Sequence, residues 1–459
     1  MRANERRVVL LGCFGVALLV AVAARSAARP TVAALSFGTA IPVGYPASAF
    51  GSGDAEGIAI GNLNADGRPD LAIASYADST VSVVLNRGRG RFRAVADYDT
   101  AAGPGETAIA DVNGDGKNDL VVASGNSVSV LLNRGDGTFP AHVDYPVGHP
   151  SDRLPVALAD LNGDSRLDIV AGSDSVNSMS VLLNDGDGTF APAVPYSTVS
   201  PPYDVEAGDL NGDGTPDIVI SDTQLDGVSV FTGNGDGSLG TPKDYPVGGR
   251  PFLAALADFN GDGRLDVATA NCCGLNGISI LLNSGGGTLS PAHRYTARVQ
   301  AGGSFQGVDM NGDGRPDLVY GDIRLNRGGG RFEPALSNMG FGVRNLNGDG
   351  APDVVGQIGD LNGDGHADAA FSTLDERNSD WEVWVRLDNP GVCDVQYDRG
   401  KTLRIAARTL ALANCRVGRL TYAYSRKVKK GRVLSQSPGG GAVRARGTKV
   451  NLVVSRGRG

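Results

Sequence analysis

Eight short segments repeat carboxylates, amides and glycine in the pattern D-x-N-x-D-G-x-x-D. The oxygen-bearing residues are Asn62, Asn64, Asp66 and Asp70 in the first copy and Asp111, Asn113, Asp115 and Asp119 in the second. Asp160, Asn162, Asp164 and Asp168 follow, then Asp209, Asn211, Asp213 and Asp217, then Asp258, Asn260, Asp262 and Asp266. Asp309, Asn311, Asp313 and Asp317 come next, then Asn345, Asn347, Asp349 and Asp353, and finally Asp360, Asn362, Asp364 and Asp368. Oxygens at positions one, three, five and nine can converge on one cation, with the backbone carbonyl of position seven (Lys117 in the second copy) as a further ligand. Glycine at position six permits the sharp turn. Such an all-oxygen, carboxylate-rich loop suits Ca²⁺ and shares its opening logic with the EF-hand. The missing distal Glu and the flanking strand-like runs argue against an EF-hand. The bland alternative is that Asp, Asn and Gly merely build tight hairpins. Acids at positions five and nine in every copy favour calcium, at about seven sites or eight if the extra copy binds. Asn62 and Asn345 each remove one charge and Ser165 replaces the turn glycine, so weaker binding is expected there. Unfilled loops hold mutually repelling carboxylates, so calcium should stabilise the fold by linkage.

The elements that carry these loops follow from their spacing. Copies beginning at 62, 111, 160, 209, 258, 309 and 360 are separated by 49, 49, 49, 49, 51 and 51 residues. The copy from Asn345 precedes Asp360 by 15 residues, too few for four strands, and reads as an insertion. The sixth unit is shortened between Tyr320 and Asn326. Within the second unit, TAIAD (107–111), DLVVAS (119–124), VSVLLN (128–133) and a segment from Phe139 to Val147 read as strands separated by Gly, Asn and Asp turns. Four strands in about 50 residues, repeated seven times, predict a seven-bladed β-propeller. A linear β-solenoid uses shorter repeats. The last unit ends at VWVRLDNPG (383–391) without the closing segment of most others, and SFGTAIPVG (36–44) resembles that missing piece. The N-terminal strand is therefore expected to complete the last blade.

Composition agrees. The 459 residues include 67 Gly and 43 Asp against 7 Glu, which excludes a mainly helical protein, because Asp and Gly favour turns while Glu favours helix interiors. The formal charge of -8 divides into +4 for residues 1–29, -26 for 30–391 and +14 for 392–459. Residues 1–7 are basic on balance and precede the apolar run 8–24, the pattern of a secretory signal peptide or, if retained, an N-terminal anchor. Removal of residues 1–29 takes Cys13 away and leaves four cysteines, consistent with an oxidising compartment. The four His, at 142, 149, 293 and 366, form no recognisable nucleophile or zinc arrangement.

The nonapeptides, the V-S-V-L-L-N strands and the G-D-G-T-F segments resemble FG-GAP/VCBS repeats, the family of integrin-α-like propellers, over roughly residues 35–391. The resemblance implies calcium loops between the first and second strand of each blade and ligand contacts on the opposite face. That face would carry the loops after the second strands, making Tyr76, Asp78, Asp174, Asn177, Asp222, Gln224 and Asp226 candidate contacts, against the plainer reading of any single one as a variable, solvated loop residue. Arg134-Gly135-Asp136 spells an adhesion tripeptide but sits where sister units have ordinary turns. Cys272-Cys273 reads either as a vicinal disulfide or as two thiols.

Composition changes abruptly after Gly391. In 401–415, Leu403, Ala406, Ala407, Leu410 and Ala413 share one helical face, while 431–441 and 447–457 read as strands. The segments G-K-T-L, V-G-R-L-T-Y, G-R-V-L-S-Q-S-P and T-K-V-N-L-V-V-S resemble a PASTA domain, expected as a small α+β unit. Cys393 and Cys415 flank its first part, and a disulfide between them would be worth about 3 kcal/mol in the chain-entropy model, two free thiols being the alternative. The resemblance implies contact with peptidoglycan or muropeptides, and the +14 charge suits anionic wall polymers.

Three segments follow: 1–29 as signal or anchor, 30–391 as propeller and 392–459 as PASTA-like unit. The expected function is a secreted, cell-surface or cell-wall-associated calcium-binding adhesion or binding module, not an enzyme. The expected partner is peptidoglycan, another surface glycan or an extracellular protein. Nucleic acid is not expected despite the basic tail, and a membrane only through an uncleaved N-terminus. The alternative is an extracellular carbohydrate hydrolase or lyase using paired Asp.

Overall fold

The computed structural model describes residues 41–47, 57–76, 78–88, 91–148, 154–272, 277–297, 305–311, 313–320, 323–334, 354–361, 368–375, 380–386, 392–395, 401–412, 415–439, 442–445 and 448–458. The extra nonapeptide from Asn345, residues 362–367 of the last one, Cys273 and the apolar N-terminal run lie outside them. Among the described residues, no helix is long and apolar enough to cross a membrane.

The chain is mainly β, built from repeated antiparallel sheets of four strands. The second consists of Pro104–Ala110, Asp119–Ser124, Ser127–Leu131 and Val143–Pro146, paired in sequence order. The first, third, fourth and fifth sheets repeat this plan, and the nonapeptide always joins the first strand to the second. Three strands of the sixth lie among the described residues, the third only Ile323–Arg324, where the sequence is shortened. In the last sheet, Val354–Gly359, Asp368–Asp375 and Asp380–Arg386 are joined by Ile41–Ala47. Ile41 faces Val385 and Ala47 faces Trp381 in antiparallel register. The N-terminal strand thus completes the last sheet, as its sequence suggested.

Burial explains the residue choice along each unit. The second strands Asp70–Ser75, Asp119–Ser124 and Asp217–Asp222 are buried at every residue, because both of their faces are covered by neighbouring sheets. Outer strands such as Val143–Pro146 and Val194–Ser197 are largely exposed and tolerate polar residues. Apolar clusters cross from sheet to sheet. Leu161, Val170 and Met179 of the third pack with Val205, Ile218 and Phe231 of the fourth. Tyrosines of outer strands reach the next unit: the Tyr98 and Phe139 rings meet edge-on at 5.1 Å, as do Tyr145 and Phe190 at 5.3 Å. Gly188, at φ 81°, fits where a Cβ would lie 2.6 Å from Leu132 Cδ2.

The tail is mostly β rather than the balanced α+β unit expected. Its single described helix, Leu403–Leu412, packs on a sheet in which Arg416–Ala423 runs parallel to Lys449–Ser455, itself antiparallel to Val433–Ser437. A further pair joins Val392–Val395 to Ala442–Ala445. Ala406 and Leu410 are fully buried with Val433, Val450 and Leu452, while Leu403 packs at the edge, so the helical periodicity selected the core face. Ala407 is half-buried, and Ala413 lies outside the described residues.

Candidate metal loops and their supports

Every described nonapeptide folds as a tight loop held by its own side chains. Asp111 Oδ1 and Oδ2 accept from the amides of Gly114 and Gly116, and Asp209 does the same with Gly212 and Gly214. Asp160, Asp258 and Asp309 also bind the amide of position six, at Ser165, Gly263 and Gly314. At position three, the side-chain oxygens of Asn64, Asn113, Asn162 and Asn211 accept from the position-five amide. At position five, Asp66, Asp115, Asp164, Asp213, Asp262 and Asp313 accept from the position-seven amide. These Asx turns fix the loop before any ligand arrives. Ser165 is driven to φ 68°, a left-handed conformation that its glycine counterpart Gly116 adopts at φ 80° without a Cβ penalty.

Position nine does something the sequence did not disclose. Asp119, fully buried, accepts from the amides of Val112 and Asn133 at 3.1 and 2.7 Å, tying the loop to the end of the third strand. Asp70, Asp168, Asp217, Asp266 and Asp317 make the same pair of contacts in their units. Asp368 likewise accepts from Leu361 N. Burial raises the pKa of Asp70, Asp119, Asp168 and Asp266 to about 6 and of Asp317 to about 8, only partly offset by these amides. Asp217 shifts in the same direction for the same cause. Burial thus disfavours the ionised form of each carboxyl in the folded chain relative to the unfolded one. Its contribution to stability is therefore largest at acid pH and is lost as pH rises through the folded value.

Strand-end asparagines complete the support. Asn133 Nδ2 donates to the carbonyls of Asn118 in its own sheet and Leu63 in the preceding one, while its Oδ1 accepts from Gly135 N. Asn184, Asn283 and Asn326 repeat this link. Asn86 donates to Leu361 O, connecting the first sheet to the last across 275 residues of sequence. Sequence reading missed these asparagines, although their recurrence at the end of V-S-V-L-L-N was a usable signal.

The donor set fits an oxygen-seeking dication in part. Asn62 Oδ1 and Asn311 Oδ1 are buried without a hydrogen-bond partner, an arrangement that leaves ligand oxygens free. Against this, no three acidic, histidine or cysteine side chains converge on one point among the described residues. Positions one, three and five and the position-seven carbonyl could hold calcium, although Asp160, Asp258 and Asp309 each have one oxygen that already accepts from two amides. Position nine serves first as a structural tie.

The candidate contacts at the opposite strand ends are less uniform. Tyr76 is 45% exposed. Gln224 and Asp226 are also exposed, Asp174 is half-buried and accepts from Ser175 Oγ, and Asn177 donates to Val199 O. Asp78 accepts from Ser75 Oγ. Asp222 is buried and caps its turn, accepting from Ser200 Oγ and the amides of Gln224 and Leu225. Cys272 ends a strand, and Arg134 and Asp136 flank an ordinary turn in which Asp136 accepts from Thr138. In the tail, Cys415 is buried and disulfide-bonded, while the Cys393 side chain lies outside the described residues.

Comparison with known proteins agrees with this organisation. A model described as FG-GAP-like repeat matches residues 111–171, 160–220, 209–269 and 258–320, and a PASTA domain model matches 392–456. Among solved structures, BBS1N in complex with ARL6DN is similar at 14% identity and TM-score 0.51, over 78% of this chain and 98% of that one. An Agrocybe aegerita lectin recognising non-reducing terminal N-acetylglucosamine is similar at 26% identity and TM-score 0.45, over 61% of this chain and 78% of that one. A catalytically inactive virginiamycin B lyase from Staphylococcus aureus matches at 11% identity and TM-score 0.44, over 73% and 97%. The chain thus carries four FG-GAP-like repeats between residues 111 and 320 and a PASTA domain at residues 392–456.

Proposed function

We propose that this chain is a secreted or cell-surface binding protein, not an enzyme, whose repeats close into a seven-bladed propeller and whose tail contacts the cell wall. Closure is supported by the N-terminal strand in the last sheet and by the Asn86 to Leu361 bond between the last sheet and the first. The nonapeptides hold Ca²⁺ through positions one, three, five and seven. Bound calcium would supply positive charge that neutralises the loop carboxylates and keeps them ionised. Cys393 is the partner of Cys415, closing the loop that carries the helix.

The observation that carries the wall-binding reading is the PASTA domain, since PASTA domains bind peptidoglycan. Its surface suits an anionic glycan. Tyr422 and Tyr424 are 52% and 65% exposed, and the Arg456 guanidinium lies 5.8 Å from the Tyr424 ring centre. Aromatic faces stack on sugar rings, and flanking cations attract carboxylates or phosphates. The test is co-sedimentation of the purified protein with peptidoglycan sacculi. Saturable binding that falls in the Tyr422→Ala/Tyr424→Ala double variant supports the reading. Absence of sedimentation at low salt rejects it, and turnover of a polysaccharide panel would return the enzyme alternative.

A further inference from the structure

Position seven of the nonapeptide is basic in most units, and its side chain returns to the loop. Arg68 Nη2 lies 2.7 Å from Asp66 Oδ2, Lys117 Nζ 2.9 Å from Asp115 Oδ2 and Arg315 Nη2 2.8 Å from Asp313 Oδ2. Arg166 and Arg264 pair with Asp164 and Asp262 in the same way. Two of these arginines are held at a second point: Arg68 Nε donates to Asn86 O and Arg264 Nε to Asn283 O. Each such loop therefore carries its own cation on the outer oxygen of the position-five carboxylate. The fourth unit differs. Position seven is Thr215, which brings no cation to Asp213, and Asp213 Oδ2 accepts from the neutral amide of Asn211 at 2.8 Å, a contact that Asn64 and Asn162 make beside their arginines.

We infer that the position-seven residue grades the loops for divalent cations, and that the Asp209–Asp217 loop is the tight site among those described. This rests on the calcium reading above and adds a ranking that the reading does not contain. A tethered monovalent cation and a dication compete for the same carboxylate. A unit charge ~6 Å from a dication lowers its affinity about tenfold even at the dielectric constant of water. Swinging the side chain away relieves that repulsion but forfeits the ion pair, so a penalty remains along either route. The basic loops then resemble sites already neutralised from within. They fill only at high calcium, whereas the Asp209 loop responds to low calcium.

The ranking is tested by titrating the calcium-stripped full chain against a competing chromophoric chelator at low ionic strength, for the wild type, Thr215→Arg and Arg264→Thr. The expected wild-type isotherm has one site about tenfold tighter than the others. Thr215→Arg should remove that class, and Arg264→Thr should create a second. Circular dichroism in chelator checks that each variant is folded. Calcium binding of uniform affinity, unaltered by Thr215→Arg in a folded protein, overturns the ranking and leaves the calcium reading intact. No calcium bound by the folded wild type at millimolar concentration overturns both.

Discussion

Asn133→Ala gives a stringent test of how the sheets are joined. The side chain is 4% exposed and makes three hydrogen bonds: to Leu63 O at 2.8 Å, to Asn118 O at 2.6 Å and from Gly135 N at 2.8 Å. Truncation leaves two carbonyls and an amide without their partner at a buried junction. At about 1 kcal/mol for each lost bond, and more where a stranded group stays dry, the loss should be about 3–4 kcal/mol. A body of about 350 residues has a melting entropy near 0.7 kcal/mol/K, so the melting temperature should fall by about 5 °C. Differential scanning calorimetry of the intact chain in chelator measures this without a calcium contribution. Asn234→Ala is the matched control: its Nδ2 contacts Ser238 Oγ at an exposed turn, and the expected change is within about 0.5 kcal/mol. A shift below about 1 °C for Asn133→Ala, or one equal to the control, refutes the claim that these asparagines bind sheet to sheet. The fourth unit, which lacks the asparagine, keeps only the glycine link of this junction: Gly237 N donates to Leu161 O, as Gly287 and Gly330 do to Leu210 O and Phe259 O beside their asparagines.

Other substitutions address separate parts of the account. Ser165→Gly should stabilise the chain by about 0.5–1 kcal/mol, because it relieves a side chain held at φ 68°; a destabilised variant in urea melts would contradict this. Glu206 is enclosed by protein while part of its surface stays open, and burial, then the charges of Asp204 and Glu106, push its pKa well above the usual carboxylate value. Its folded form favours the neutral acid, so stability is lost as pH rises from the unfolded value near 4.3 through the folded one. Glu206→Gln should therefore melt higher than wild type at pH 7 and equally at pH 4, and a pH-independent difference would contradict it. Leu410→Ala empties a fully buried site in the tail and should cost about 2–4 kcal/mol there while leaving the main calorimetric transition in place.

The sequence was most legible where one residue type has one physical use. Glycines at positive φ and strands alternating with Asx turns placed the sheets, and the kinship of 36–44 with the inner units placed the N-terminal strand beside Asp380–Arg386. It was least legible where one residue type has two uses. Asp119 reads as a metal ligand by spacing, yet its depth turns both oxygens toward backbone amides. Asp222 reads as a ligand contact from its loop, yet it is buried under that loop as a cap. Arg416–Ala423 was not recognised as a strand because it is exposed along most of its length and lacks an alternating apolar face.

Calcium binding by the nonapeptides is read out by the melting temperature of the intact chain in millimolar calcium, compared with the same protein in excess chelator. Each site filled to a hundred times its dissociation constant adds about 2.7 kcal/mol to the folded state, so even two filled loops should raise the midpoint by about 7 °C. Superimposable transitions in calcium and chelator would show that the nonapeptides are turns and nothing more.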